Sequence, residues 1–194
     1  MAFLLALAAC GPQKPVQTSG TVTSSGVALI GGPFQLVDQE GHPTDQRVLN
    51  GKWSAVFFGY TYCPDVCPTT LQTLAATKAK LGGAAKDLRI VFVSVDPERD
   101  TPAQMKAYLA TPAFPQPTLG LTGSMEQVAA AAKAYRVYYQ KQGSGEGYAV
   151  NHSAIIYLMD PQGKFDRPLA ESLSPQEMAA QISEAMRTGP KAAS

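Results

Sequence analysis

The chain has 194 residues, enough for one domain with flanking segments and too few for two ordinary domains. With 45% apolar and 16% charged residues it has the balance of a globular protein, and a formal net charge of +1 gives no footprint for gripping a phosphate backbone, which excludes nucleic acid as an expected partner. Its three cysteines are an odd number, so at least one does something other than pair with a second.

Positions 2–9 are all apolar and lead into Cys10. That run suits the core of a signal peptide and falls far short of the roughly 18 to 20 residues of a membrane span. Leu7, Ala8, Ala9, Cys10 and Gly11 resemble the bacterial lipobox. The resemblance implies a lipoprotein-type leader over 1–10, lipidation of Cys10 as the mature N-terminus, and a membrane-anchored protein facing the periplasm. Residues 11–32 are rich in Gly, Ser, Thr, Pro and Val, with Lys14 as the only charge, and are expected to form a flexible tether. About 20 flexible residues have a root-mean-square reach of roughly 25 Å. The expected folded domain covers 33–187, and 188–194 read as a frayed, disordered tail.

From residue 34 onward, short apolar runs alternate with capped amphipathic segments, the pattern of an α/β layer fold. Residues 34–37 and 47–49, separated by polar residues including Gly41, His42 and Pro43, read as an N-terminal β-hairpin. Residues 54–59 and 88–95 are near-continuous runs of Val, Ile and Phe, as central strands buried on both faces require. Between them a helix is expected from near Pro68 to residue 81. Thr101, Ser124 and Ser174 each stand three residues before Gln or Glu, which predicts three further helix starts. The Met and Tyr residues at helical spacing behind these caps, such as Met105, Tyr108, Tyr135 and Met178, are read as core. A strand over 153–159, a Pro-Gln-Gly turn and Lys164-Phe165 complete a second hairpin.

Cys63 and Cys67 lie between the strand ending at Gly59 and the helix carrying Leu71, so both thiols sit at a strand-to-helix junction. The positive end of the helix dipole and its free N–H groups favour thiolate there, making each cysteine a better nucleophile and a better metal ligand. Pro64 and Pro68 lack N–H groups and are tolerated near a helix start, which places that start between them. A soft pair of thiolates suits Cu(I), zinc or an iron–sulfur centre, although four thiolates are not available. The same pair can also cycle between dithiol and disulfide, the chemistry of a thiol-disulfide oxidoreductase. A third ligand must come from elsewhere, and there are two histidines. His42 lies in a polar turn and is read as a bystander; His152, just before the strand at 153–159, is the better candidate.

Three segments, Thr61 to Leu71 (TYCPDVCPTTL), Val93 to Pro102 (VSVDPERDTP) and Asn151 to Phe165 (NHSAIIYLMDPQGKF), resemble the Sco/SenC family in order and spacing, and the likeness covers roughly 30–187. It implies a thioredoxin-like fold with a central mixed sheet flanked by helices. It implies copper, as Cu(I) or Cu(II), held by Cys63, Cys67 and His152, and a metallochaperone role at the copper A centre of cytochrome c oxidase, whose subunit carrying copper A is the expected partner. In such a sheet the strand after His152 runs antiparallel to the one before Cys63, bringing the two ends together. Asn151 stands where the family commonly has Asp, while Asp65 is retained. Asp96, Pro97 and Asp100 are read as a strand-end turn leading to the Thr101 cap rather than as ligands.

Overall fold

The structure, a computed structural model, describes residues 30–145 and 147–190. The expected leader, Cys10 and the tether up to residue 29 lie outside the described residues. No helix among those described is long and apolar enough to cross a membrane.

The centre is the strand β3 (Trp53–Gly59), buried along its whole length. It pairs in parallel with β4 (Leu88–Ser94) and antiparallel with β8 (Ile155–Met159). With β1 (Gln35–Asp38), β2 (Pro43–Asp45), β5 (Thr118–Thr122) and β9 (Phe165–Ala170) it makes a seven-stranded mixed sheet in the order β2-β1-β5-β4-β3-β8-β9. This is the expected thioredoxin-like arrangement. A separate two-stranded hairpin, β6 (Tyr139–Gln142) with β7 (Ala149–His152), stands outside the sheet.

Helices α1 (Val66–Leu81), α2 (Pro102–Leu109), α3 (Met125–Ala134) and α4 (Pro175–Thr188) cover the sheet. Because strand side chains alternate between faces, Val56, Phe58, Val91, Val93 and Leu121 pack with Tyr135 and α3 on one side. Phe57, Gly59, Phe92 and Gly120 turn to the other side, under α1 and α2, and α4 packs on α1. The three expected caps are present: Thr101, Ser124 and Ser174 accept hydrogen bonds from the backbone N–H groups of Gln104, Gln127 and Glu177, the last two as full capping boxes. Met105, Tyr135 and Met178 are buried core, and Tyr108 packs against it half-buried, as their spacing predicts.

The N-terminal hairpin differs in register from the expectation. Its second strand is 43–45, and 46–49, including the expected strand at 47–49, is a 3₁₀ turn. The Asp38 carboxylate accepts from the N–H groups of Glu40 and His42, tightening the reversal so that pairing begins at Pro43. Pro43 is tolerated because β2 is an edge strand. The Asp45 side chain then accepts from the Arg47 N–H at 2.9 Å and caps the turn, which drops Leu49 into the core. Residues 30–32, expected in the tether, touch the domain: the Gly31 N–H donates to the Ala134 carbonyl at 3.0 Å. At the other end, α4 runs through Thr188, the first residue of the expected tail.

Gly120 shows how tightly α2 is seated, since a Cβ there would lie 2.5 Å from Cγ of Met105 and 2.6 Å from Cδ1 of Leu109. A Gly120→Ala substitution stiffens the unfolded chain, a gain of ~0.4–1 kcal/mol. Overpacking costs about 1–3 kcal/mol and outweighs it. Thermal unfolding of the variant is expected at a lower midpoint than wild type, and an unchanged or raised midpoint would count against this account of the α2 contact.

Candidate metal centre

The backbone leaves β3 at Gly59 and reaches α1 through a short loop in which the Cys63 N–H donates to the Tyr60 carbonyl at 3.2 Å. The helix begins at Val66, inside the window set by the two prolines; Pro68 falls in the first turn, where its missing N–H breaks no helical bond. The N-terminal residue Asp65 makes no side-chain capping bond. Instead Sγ of Cys63 accepts from the N–H of Cys67 at 3.4 Å, so a sulfur occupies the positive end of the helix. Cys67 faces inward and is buried, whereas Cys63 is half-exposed, and both are free thiols. Gly59 makes room for this: a Cβ on residue 59 would stand 2.7 Å from Sγ of Cys67 and 2.9 Å from the Phe92 ring.

His152 arrives from the opposite direction. It is the last residue of β7; residues 153–154, expected to open the following strand, are irregular, and β8 starts at Ile155. The β3–β8 pairing is antiparallel, with Phe57 opposite Ile156, so the start of β8 lies at the same end of the sheet as the cysteine loop. Nε2 of His152 lies 3.5 Å from Sγ of Cys67. Nδ1 is 3.1 Å from the Ser153 carbonyl oxygen, which can only accept. Nδ1 therefore donates to that carbonyl, which leaves Nε2, the nitrogen facing the sulfurs, as the one that could bind a metal ion. The imidazole is held edge-on by Phe57 and Tyr60, with ring centroids 6.1 and 5.9 Å away. One ligand atom from each of Cys63, Cys67 and His152 lies within 4.8 Å of the others.

The two thiols differ in acidity. The hydrogen bond with Cys67 lowers the Cys63 pKa to about 3, outweighing partial burial, with His152 and the N–H groups of Asp65 and Cys67 adding to the effect. Cys67 is pushed up well above the ordinary thiol range by that same bond to Cys63, then by burial, then by the nearby negative charges of Cys63 and Asp100. The pair thus retains one shared proton across neutral pH.

Asp96 and Asp100 fall outside the ligand cluster, and the turn expected there is present: the N–H groups of Arg99 and Asp100 donate to the Asp96 carbonyl. Both carboxylates are nevertheless buried, which the motif alone did not reveal. Asp100 accepts from the Thr61 N–H, from the Thr61 hydroxyl at 2.6 Å and from the Ser94 hydroxyl at 2.6 Å, tying the turn to the cysteine loop. Burial raises its pKa against those bonds. His42 remains on an exposed turn beside Asp38, remote from the ligand cluster. Asn151 is exposed and sits opposite Gln140 in the hairpin.

Gly59, Tyr60, Arg99 and Tyr148 are site residues that sequence reasoning passed over. A glycine ending a buried strand is a signal of close approach, and Gly143, Gly145 and Gly147 between two short polar runs are a hairpin signal. Nothing local marks Tyr60 or Tyr148.

Comparison with known proteins agrees with this fold. The model of the SCO1/SenC family matches residues 22–187. The chain is 44% identical over 144 residues to the mitochondrial SCO1 homolog 1 of Arabidopsis thaliana, covering 73% of this chain and 42% of that protein, so it spans less than half the relative's length. Among solved structures it is similar to Bradyrhizobium japonicum ScoI with copper bound, at 44% identity and a TM-score of 0.72, covering 80% of this chain and 98% of that one. It is also similar to yeast Sco1 with copper bound, at 36% identity and a TM-score of 0.77, covering 84% and 91%. The three motifs, the fold and the match over most of the chain agree: this protein belongs to the SCO1/SenC family.

Proposed function

We propose that this chain is a copper-binding metallochaperone that delivers copper to, or prepares the cysteines of, the copper A centre of cytochrome c oxidase. The observation that carries the reading is the convergence of two sulfurs and one imidazole nitrogen within 4.8 Å. Two thiolates and an imidazole form a soft to borderline donor set that suits Cu(I) in low coordination, with room for a further ligand when the ion is Cu(II). The asymmetry of the pair fits transfer by ligand exchange. Cys67 is buried and anchors the ion, while half-exposed Cys63 and His152 are the ligands that an incoming cysteine displaces first. Lipidation at Cys10 and a tether over the residues between it and Ile30, where the chain meets the domain, would hold this head at the periplasmic face of the membrane, within roughly 25 Å of its anchor, where a membrane-bound oxidase subunit is reached without release.

A second reading, thiol-disulfide oxidoreductase, is favoured by the acidity of Cys63. A Cys63 thiolate attacks one sulfur of a target disulfide and expels the other as thiolate; Cys67 then attacks the mixed disulfide, leaving Cys63–Cys67 oxidised and the target reduced by two electrons. Copper-free protein that reduces insulin at rates comparable with thioredoxin would favour this reading; activity no higher than that of free dithiothreitol would argue for the copper role alone.

Replacing His152 by Ala is expected to weaken Cu(I) binding by roughly tenfold or more in competition against a chromophoric chelator. Undiminished affinity would remove His152 from the site. Cu(I) bound to both sulfurs must displace the proton that Cys67 retains above the titration of Cys63. Affinity therefore rises with pH, and log K is expected to climb by about one unit per pH unit between about 7.5 and 9. A flat profile over that interval would contradict the shared-proton description.

A further inference from the structure

The hairpin that carries His152 pairs with no strand of the seven-stranded sheet among the described residues, so no backbone ladder fixes its distance from the cysteines. Side chains do that work, and they converge on one guanidinium. Arg99 lies in the 96–100 turn, which is tied to the cysteine loop through Asp100 and Thr61. Its Nε donates to Asp96 at 2.5 Å and its Nη1 donates to the backbone carbonyl of Tyr148 at 3.0 Å, four residues before His152. Its planar group lies 3.6 Å from the centre of the Tyr148 ring and 4.8 Å from that of Tyr62, beside Cys63.

Tyr148 closes the circuit. Its hydroxyl donates to Asp96 at 2.5 Å, so one buried carboxylate holds both the arginine and the tyrosine. On the solvent side, Lys141 of β6 lies 3.8 Å from the centre of the same ring and pairs with Glu98 at 2.5 Å, adding a second link between the turn and the hairpin. A further link comes from the Val150 N–H, which donates to the Tyr60 hydroxyl at 3.3 Å, while the Tyr60 ring also meets the His152 imidazole. Strand periodicity places residues 148, 150 and 152 on one face, so a force on Tyr148 is transmitted along the side of the hairpin that holds the ligand.

We propose that Arg99 and Tyr148, joined through Asp96, are positioning residues that hold the β6–β7 hairpin against the cysteine loop and thereby set the place of His152 relative to the two sulfurs. The proposal rests on the copper reading for its significance, but the position of the ring is measurable without the metal. Arginine is required at position 99 because a planar fork reaches a carboxylate and a carbonyl together while stacking on a ring; a lysine ammonium supplies the charge without that geometry.

The test uses copper-free protein, wild type, Tyr148→Phe and Arg99→Lys, and measures nuclear Overhauser contacts from the His152 ring to the rings of Phe57 and Tyr60. Tyr148→Phe removes one hydroxyl and keeps the ring, so it carries the test independently of how well Arg99→Lys folds. The contacts are expected to weaken strongly in each folded variant while the amide spectrum of the seven-stranded sheet stays as in wild type, a separation that general loss of stability would not produce. Contacts of wild-type strength in Tyr148→Phe would overturn the proposal. In parallel, Cu(I) affinity of the variants is expected to fall roughly tenfold, toward that of His152→Ala. Loss of the ring contacts together with full Cu(I) affinity in His152→Ala would uphold the positioning role and remove the copper reading of that residue. Retained contacts with a weakened His152→Ala would do the reverse.

Discussion

Strand β3 is bonded along both edges, in parallel to β4 and antiparallel to β8, and the cluster of Cys63, Cys67 and His152 exists because of that combination. The parallel pairing sends the ends of β3 and β4 to the same side of the molecule, where one continues into the cysteine loop and the other into the 96–100 turn. The antiparallel pairing brings the beginning of β8, and with it residue 152, to that side as well. Backbone hydrogen bonds thus deliver the cysteine loop, the 96–100 turn and the start of β8 to one rim.

Close approach at that rim depends on the absence of a side chain at residue 59. Even an alanine Cβ would press on Sγ of Cys67, so the strand must end in glycine for α1 to sit with its second residue against the sheet. The consequence is electrostatic as well as steric. The bond between the two sulfurs, reinforced by burial, disfavours ionisation of Cys67, while the same bond, helped by His152 and the N–H groups at the mouth of the helix, favours thiolate at Cys63. One proton retained between two sulfurs leaves the pair ready for a soft cation, and the buried Asp100 behind it discourages a second thiolate until a cation arrives.

Within the span of 22–187 that matches the SCO1/SenC family, labour is divided between the sheet and the separate hairpin. The cysteines stand where β3 passes into α1. The histidine stands on a two-stranded appendage secured by aromatic, cationic and acidic side chains. Under the proposed copper role, two donors would come from the junction of β3 and α1 and the third from a hairpin placed by a few side-chain contacts.

The sequence by itself determined the elements with strong local signatures. Buried Val and Phe runs announced β3 and β4, the Ser and Thr caps placed three helices, and the prolines around Cys67 bracketed the start of α1. The three candidate ligands could be named because two cysteines and one of the two histidines fall in the segments that resemble the family, and the structure brings them within 4.8 Å of one another. Tertiary structure decided the rest. The second strand of the N-terminal hairpin moved to Pro43–Asp45 because a carboxylate tightened the turn, and β5, β6 and β7 escaped notice because short strands with glycine or polar faces leave little pattern to read. The burial of Asp96 and Asp100 and the stacking of Arg99 on Tyr148 depend on contacts across 39 to 52 residues of chain, which no local spacing encodes. Composition and periodicity report what each segment prefers alone; which side chains share a rim is set by the order and direction in which the strands pair.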